Sequence, residues 1–269
     1  MTMLLNVSQE VLLVFLLFTP LERLLPMGER KKILREYWQI DVTYLLFNSV
    51  LIAACFLIAL NGLSALLSPI IPALLTNGIQ TLPFLVEVVI VFLIADLVFY
   101  STHRMLHRVP FLWRFHRVHH SIEHLDTLAA HRVHPIDQVL EAGVPVIVLI
   151  VFGFSAEAIG LHLVFYKFHA LFIHSSIKGP FGGKLRNFLA LQQFHHWHHA
   201  DKAEAYDKNF AAYFPFIDRL FGTFHLPGDE MPEAYGIKEE ISKTYIGQLV
   251  EPFRAASPVG DEQHEALSV

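Results

Sequence analysis

The segment Leu82–Tyr100 is almost entirely apolar and is long enough to cross a lipid bilayer as one helix. About 20 apolar residues span the hydrocarbon at 1.5 Å per residue, and backbone polar groups in lipid must bond within the helix. The whole chain contains 54% hydrophobic and only 17% charged residues. These features predict an all-α fold, an integral membrane helical bundle.

Other apolar segments predict the number of helices. Leu4–Pro20 is predicted to be a short spanning helix or an interfacial one, and Val42–Leu60 is a predicted span. Leu63–Leu75, with its two prolines, is predicted to be a turn or an interfacial hairpin, and Val139–Phe154 with Ala158–Ile173 is predicted to form a second hairpin. We therefore expect about four to five spanning or re-entrant helices.

The domain organisation follows from the absence of any composition shift or repeat. Residues 1–269 are predicted to form a single membrane domain. Residues 1–100 would hold the N-terminal spanning helices, 101–227 a histidine-rich catalytic region with a hairpin at 139–174, and 228–269 a cytoplasmic tail. The basic loop between Glu22 and Glu36 is predicted to stay in the cytoplasm. Counting crossings from that loop places the histidine clusters in a cytoplasmic cap.

Charge and cysteine content exclude several classes of partner and site. The net charge of −5 provides no basic stripe for a phosphate backbone, so we expect no nucleic acid partner. The single cysteine, Cys55, excludes a disulfide framework and an iron–sulfur cluster held by this chain alone. Electrons for any redox reaction would have to come from a separate reductase or electron-transfer protein.

The histidines are concentrated in three short boxes. His103 and His107 are four residues apart, a spacing that stacks two imidazoles on one helix face. The segments 116–120 and 195–199 both contain the pattern H-x-x-H-H, which puts two imidazoles on one face and leaves one able to turn toward a second ion. Because neutral imidazoles packed in an apolar region need partners, the boxes predict a metal site.

An acid lies on the same predicted helix face as the first box. Asp96, Tyr100, His103 and His107 are spaced by four, three and four residues. A histidine that ligates a metal usually donates its other ring N–H to a carboxylate or carbonyl. Asp96 is therefore predicted to be such a partner.

Ligand type alone leaves the identity of the metal open. Imidazole suits zinc, copper, iron and nickel, whereas the number of histidines indicates two ions. No H-E-x-x-H motif of a zinc protease occurs in the chain. Oxygen activation is one interpretation. The alternatives are a non-redox membrane zinc-binding protein and a metallohydrolase, although the latter usually recruits carboxylate ligands.

The three boxes, together with Trp113–Ser121, Arg132–Pro135, Phe172–Ser175 and Asp207–Phe210, resemble the fatty acid hydroxylase superfamily, also called the sterol desaturase family. The resemblance covers about residues 90–227. It implies an enzyme with two iron ions, for which zinc can substitute. Such an enzyme uses O2 and an external electron donor to hydroxylate or desaturate a C–H bond of a membrane lipid, whether sterol, fatty acyl or related.

The resemblance also implies which residues bind the metal. The box ligands would be His103, His107, His116, His119, His120, His195, His198 and His199, and the additional ligands would be His134 and His174. Asp96, Asp207 and His169 would surround the ligands. A substrate channel is predicted between the spanning helices, with a lining that includes Phe92, Phe99, Phe165 and Phe168.

Overall fold

The computed structural model describes residues 11–27, 35–48, 62, 66, 78–79, 81–179 and 183–254. These residues are mostly helical and contain no strand beyond two isolated bridges, Pro26 with Ile177 and Ala200 with Tyr235. The helices are α1 (Thr19–Leu24), α2 (38–48), α3 (Phe84–Arg108), α4 (Pro110–His120), α5 (Pro135–Phe152), α6 (Ala156–His174), α7 (Gln192–His198), α8 (Pro215–Leu220) and α9 (Tyr245–Val250). The predicted all-α fold is confirmed.

Three of the helices, α3, α5 and α6, are long and apolar enough to cross a membrane. Large apolar side chains point outward from them, with Leu85 on α3 77% exposed and Val164 on α6 71% exposed. In water such uncovered surface would be unfavourable, and it is suited to contact with lipid. The predicted spans Leu4–Pro20 and Val42–Leu60 lie partly outside the described residues, and Leu63–Leu75 lies outside them except for residue 66.

Helix α3 is longer than its apolar core. It begins after Pro83 and continues without a break through the first histidine box to Arg108. The next residue, Val109, is extended because it precedes Pro110, and a residue before proline is driven out of the helical region. Pro110 then begins α4, since a helix tolerates proline in its first turn. This break turns the chain so that the second box comes back against the first.

Helices α5 and α6 form the predicted hairpin. Helix α5 ends at Gly153, whose φ of 82° is a left-handed conformation that glycine adopts at no steric cost. Ser155 then caps α6 by accepting the N–H of Ala158 at 3.2 Å. Glu87 of α3 fixes this turn, because its carboxylate accepts the Ser155 N–H at 2.6 Å and the Ser155 hydroxyl at 3.0 Å. An apolar core that includes Val91, Val146 and Ile159 fills the space between α3, α5 and α6.

The helices α1 and α2 are hydrogen-bonded to the segments that follow α4 and α6. Glu22 of α1 accepts the N–H of Thr127 at 2.8 Å and the N–H of Ser176 at 2.9 Å. Asp41 of α2 accepts Arg132 Nε at 2.5 Å. The C-terminal helix α9 packs on α2, where the rings of Tyr44 and Tyr245 are 4.8 Å apart. These contacts hold both ends of the described chain around the histidine-bearing helices.

Candidate metal centre

Nine histidines converge in two groups of ring nitrogens at the end of the helical bundle. Within each group, the nearest nitrogen atoms all lie within 4.8 Å of one another, and every residue is buried. The first group is His103, His107, His116, His120 and His198, and the second group is His119, His174, His195 and His199.

The first group is held by α3, α4 and α7. His116 Nε2 lies 3.1 Å from both His103 Nε2 and His120 Nε2, and His120 Nε2 lies 3.0 Å from His198 Nε2. The fifth member, His107, has its ring 4.8 Å from that of His116. Its Nε2 is buried and finds no hydrogen-bond partner in the described part of the chain.

The second group joins α4, α6 and α7. His174 Nε2 lies 3.1 Å from His119 Nε2 and 2.9 Å from His195 Nε2, and His195 Nε2 lies 3.1 Å from His199 Nε2. The two groups are adjacent, since the rings of His120 and His199 are stacked with centroids 4.5 Å apart.

Each H-x-x-H-H box is divided between the groups. In the second box, His116 and His120 belong to the first group and His119 to the second. The third box has the reverse arrangement, because its first and last histidines join the second group while His198 joins the first. Residues four apart share a helix face, and the residue next to the last one points away. The spacing therefore explains the division.

Backbone carbonyls define which ring nitrogen carries the proton. Nδ1 donates to Phe210 O at 2.9 Å in His103, to Arg132 O at 3.1 Å in His119, to Ala170 O at 2.7 Å in His174 and to Lys208 O at 2.8 Å in His198. A carbonyl only accepts, so each ring bears its proton on Nδ1 and, when neutral, a lone pair on Nε2.

These lone pairs face each other across about 3 Å and cannot bond to one another. Two atoms bound to one metal at about 2.1 Å and at right angles are also about 3 Å apart. The donor set and its spacing therefore fit a metal ion in each group, with the Nδ1 hydrogen bonds orienting the ligands.

Burial keeps these imidazoles in the neutral form that binds metal. For four histidines outside the apolar helices, burial and then neighbouring imidazoles lower the pKa well below the ordinary value; they are His119, His120, His195 and His199. Burial lowers the pKa of His198 to about 3. Metal binding near neutral pH therefore requires little proton release.

Two carboxylates on α5, those of Asp137 and Glu141, approach the first group. Asp137 Oδ2 lies 2.9 Å from His116 Nδ1, and both side chains are fully buried. Glu141 follows one turn later, in a π-helical turn over Val139–Gly143, and its Oε1 lies 3.5 Å from His103 Nε2. Glu141 was not among the predicted site residues, although an acid within a long apolar helix is itself a signal of function.

Asp96 does not contact the histidines, contrary to the prediction. Its carboxylate instead accepts the backbone N–H groups of Ala212, Tyr213 and Phe214 at 2.7–3.2 Å. Seven residues separate Asp96 from His103, which is about 10 Å along a helix and beyond the reach of an aspartate. Asp96 therefore holds the segment that follows Phe210, whose carbonyl accepts the Nδ1–H of His103.

Asp207 lies beside the first group. Its Oδ1 is 3.4 Å from His107 Nδ1, and its Oδ2 is 3.2 Å from Arg108 Nε. Asp207 and Asn209 both have positive φ, at 56° and 60°, which curls the segment against the histidines. Asn209 stabilises this curl, because its amide donates to Phe194 O at 2.9 Å and to His225 O at 2.7 Å.

The structure does not bring His134 or His169 into either group. His134 caps α5 by accepting the N–H of Ile136 on Nδ1 at 3.1 Å, and its Nε2 lies 3.2 Å from Leu249 O. Both of its nitrogens are thus occupied. His169 Nε2 lies 3.0 Å from Ala190 O. It precedes His174 by five residues on α6, so it projects from a different helix face.

The fatty acid hydroxylase family model matches residues 88–223, which contain both histidine groups. The ornithine lipid hydroxylase of Rhizobium tropici is 29% identical over 171 residues, covering 64% of this chain and 51% of that protein. Human alkylglycerol monooxygenase is 28% identical over 151 residues, covering 56% of this chain and 33% of that protein. Human lathosterol oxidase is 28% identical over 244 residues, covering 88% and 74%.

The chain spans about half the length of the ornithine lipid hydroxylase and about a third of the alkylglycerol monooxygenase. No solved structure matches the chain.

Proposed function

Because this chain belongs to the fatty acid hydroxylase family, we propose that it is a membrane oxygenase that oxidises a C–H bond of a lipid with O2. The observation that carries the proposal is the pair of adjacent groups of buried Nε2 atoms. The relatives named as a lipid hydroxylase, a monooxygenase and a sterol oxidase support the same class of reaction.

Nine histidines would hold two iron ions, one in each group. The iron pair would supply the O2 activation that oxidises an unactivated C–H bond. The chain's own part is to fix the ligands before the metal binds: carbonyls hold Nδ1–H of His103 and His198, and Asp137 holds that of His116. The hydrogen bond to the Asp137 carboxylate raises the electron density on His116 Nε2 and makes that nitrogen a stronger ligand for a metal cation.

The composition of the groups favours iron over a structural zinc. Structural zinc sites are almost always tetrahedral, with four ligands, and the first group alone offers five imidazoles. A binuclear hydrolase usually includes carboxylates among its ligands, whereas nine imidazoles form the two groups here and Asp137 and Glu141 lie beside His116.

We place the protein in the membrane as a multi-pass chain with the histidine groups facing the cytoplasm. The apolar helices α3, α5 and α6 support the membrane location. The basic residues between Glu22 and Glu36 support the orientation. A substrate would then enter from the bilayer between the helices, and electrons would come from a separate cytoplasmic donor.

Metal analysis combined with an O2-dependent assay tests this function. The protein would be purified from iron-replete cells and supplied with a reductant and a membrane lipid extract. We expect two irons per chain and an oxidised lipid that is lost in His119→Ala, because that substitution removes a ligand of the second group. One zinc per chain, with no O2 consumption from any donor, would overturn the proposal.

A further inference from the structure

Glu141 is a buried acid in the apolar helix α5 whose carboxylate lacks a hydrogen-bond partner. The residue is 8% exposed, and its Oε1 is buried and accepts no hydrogen bond from any residue that the structure describes. A bare carboxylate in a dry environment is strongly unfavourable, so acids in apolar helices are usually paired or functional. The surroundings of Glu141 therefore call for a positively charged partner.

The carboxylate of Glu141 faces the metal-binding nitrogen of His103. Its Oε1 is 3.5 Å from His103 Nε2, and the Nδ1 of the same ring donates to Phe210 O at 2.9 Å. When the ring is neutral, its Nε2 therefore carries a lone pair. Two electron-rich atoms repel one another at this distance unless a proton or a cation lies between them.

The separation of these two atoms fits a metal ion better than a shared proton. Hydrogen bonds between oxygen and nitrogen have heavy-atom distances of about 2.7–3.2 Å, and the 3.5 Å contact between Glu141 and His103 is longer. Two donor atoms that each lie about 2.1 Å from one metal ion, at an angle of about 110°, are about 3.5 Å apart. The contact therefore has the geometry of two ligands on one ion.

Asp137, one turn earlier on α5, approaches the histidines from another side. Its Oδ2 lies 2.9 Å from Nδ1 of His116, whereas Nε2 of that ring lies 3.1 Å from the Nε2 atoms of His103 and His120. Asp137 thus contacts the edge of the ring that does not bind metal. Glu141 lies 3.9 Å from the same Nδ1, which already donates to Asp137. Of the two acids, Glu141 is the one whose oxygen approaches a metal-binding nitrogen.

We propose that Glu141 is a carboxylate ligand of the metal ion in the first histidine group. The inference deepens the proposed function and rests on it. Glu141 lies at the centre of the π-helical turn Val139–Gly143, and such turns are rare and frequent at functional sites. The two ions would then be inequivalent, because the second group consists of imidazoles alone. The negative charge of Glu141 would stabilise Fe3+ relative to Fe2+ in the first group.

Infrared difference spectroscopy tests the inference with the full chain in detergent. The Fe2+-loaded protein, prepared without O2, would be compared with the metal-free protein, with glutamate isotopically labelled at its side-chain carboxyl group. We expect metal binding to shift a labelled carboxylate stretching band, because coordination changes the two C–O bonds unequally. A difference spectrum of the wild-type protein without a labelled band would overturn the proposal.

Variants then assign the band to Glu141. Glu141→Gln keeps the shape of the side chain without its charge, and Glu141→Ala removes the group. Both should lose the labelled band. One Fe2+ should bind at least about tenfold more weakly, since loss of even an outer partner of a ligand costs 10- to 100-fold. Glu157→Gln, at an exposed glutamate of α6, is the matched control and should behave as wild type. A band that persists in folded Glu141→Gln would exclude Glu141.

The outcomes also separate this inference from the proposed function. A protein that oxidises lipids with O2 but gives no labelled band contradicts only the role of Glu141. A protein that gives the labelled band but never oxidises a lipid with O2 contradicts only the proposed function.

Discussion

At the scale of single residues, His116 differs from His103 and His198 because its Nδ1 hydrogen bond goes to a carboxylate. His103 and His198 donate to neutral carbonyls, whereas His116 donates to Asp137, which is completely buried. A buried carboxylate strengthens the hydrogen bond and raises the electron density on the coordinating nitrogen. His116 should therefore depend on its hydrogen-bond partner more than His103 and His198 depend on theirs.

Asp137→Asn should selectively weaken the first group. An amide keeps the size of the side chain but removes its charge, and loss of such partners costs 10- to 100-fold in metal affinity or activity. Metal titration should show the larger loss of affinity for the ion of the first group. Asp229→Asn is the control, because that carboxylate is 87% exposed. Equal affinities in wild type and Asp137→Asn would contradict the role of Asp137.

The division of the boxes can be tested with double variants. His116→Ala with His198→Ala removes ligands from two boxes but from one group, so the chain should keep one iron at saturating metal. His116→Ala with His119→Ala removes ligands from one box but from both groups, so both irons should be lost. Iron per folded chain is the measurement, with circular dichroism as a control for folding. The opposite pattern would mean that ions are held by box rather than by group.

At the scale of elements, the irregular segment 207–214 carries much of the support for the first group. Its carbonyls at Lys208 and Phe210 accept ring N–H groups from His198 and His103. Two buried acids hold the segment: Asp96 binds the N–H groups of 212–214, and Asp218 binds those of Phe210 and Ala211 at 2.8 and 2.9 Å. An irregular segment without its own backbone ladder needs such acceptors.

Asp96→Asn should destabilise the protein and loosen the first group. Asparagine offers one acceptor oxygen, so at least one buried N–H of 212–214 would lose its partner, at a cost of about 1–3 kcal/mol. The melting temperature in detergent should fall by several degrees. The affinity of the first histidine group for its metal ion should fall as well. Asp229→Asn should change neither quantity. An unchanged melting temperature in Asp96→Asn would show that these bonds contribute nothing net.

Some of these elements could be predicted from the sequence, and others depend on tertiary packing. The spacing of residues 116–120 and 195–199 is local, so the division of each box followed from helix geometry. Asp96 was placed on the correct helix but given the wrong partner, because the segment that approaches it comes from 116 residues further along. His134 and His174 looked equivalent in sequence. The position of α6 brings His174 into the second group, whereas the position of α5 makes His134 the cap of that helix.

At the scale of the whole molecule, the centre places many titratable rings in a dry environment. Burial lowers the pKa of five histidines outside the apolar helices, that of His198 to about 3. In the unfolded chain the same rings have a pKa of about 6.5. Below that pH the unfolded state takes up protons that the folded state does not, so acid favours unfolding.

The metal-free protein should therefore lose stability as the pH falls below about 6.5 and should show little change above about 7. Each ring that stays neutral in the folded state costs about 1.4 kcal/mol per pH unit in that range. Melting temperatures in detergent between pH 8 and pH 5 would measure this effect. A flat profile from pH 7 to pH 5 would show that the rings take up protons in the folded state.

The second and third boxes each contribute histidines to both groups, and this has a consequence for the order of metal binding. Both α4 and α7 carry histidines of both groups, so an ion in either group would hold the same two helices together. A second ion would then meet ligands that are already ordered, so we expect the two binding events to reinforce one another. A sample given half of the iron it needs should consist mainly of full and empty molecules. Native mass spectrometry would show this as a depleted peak for chains carrying a single ion.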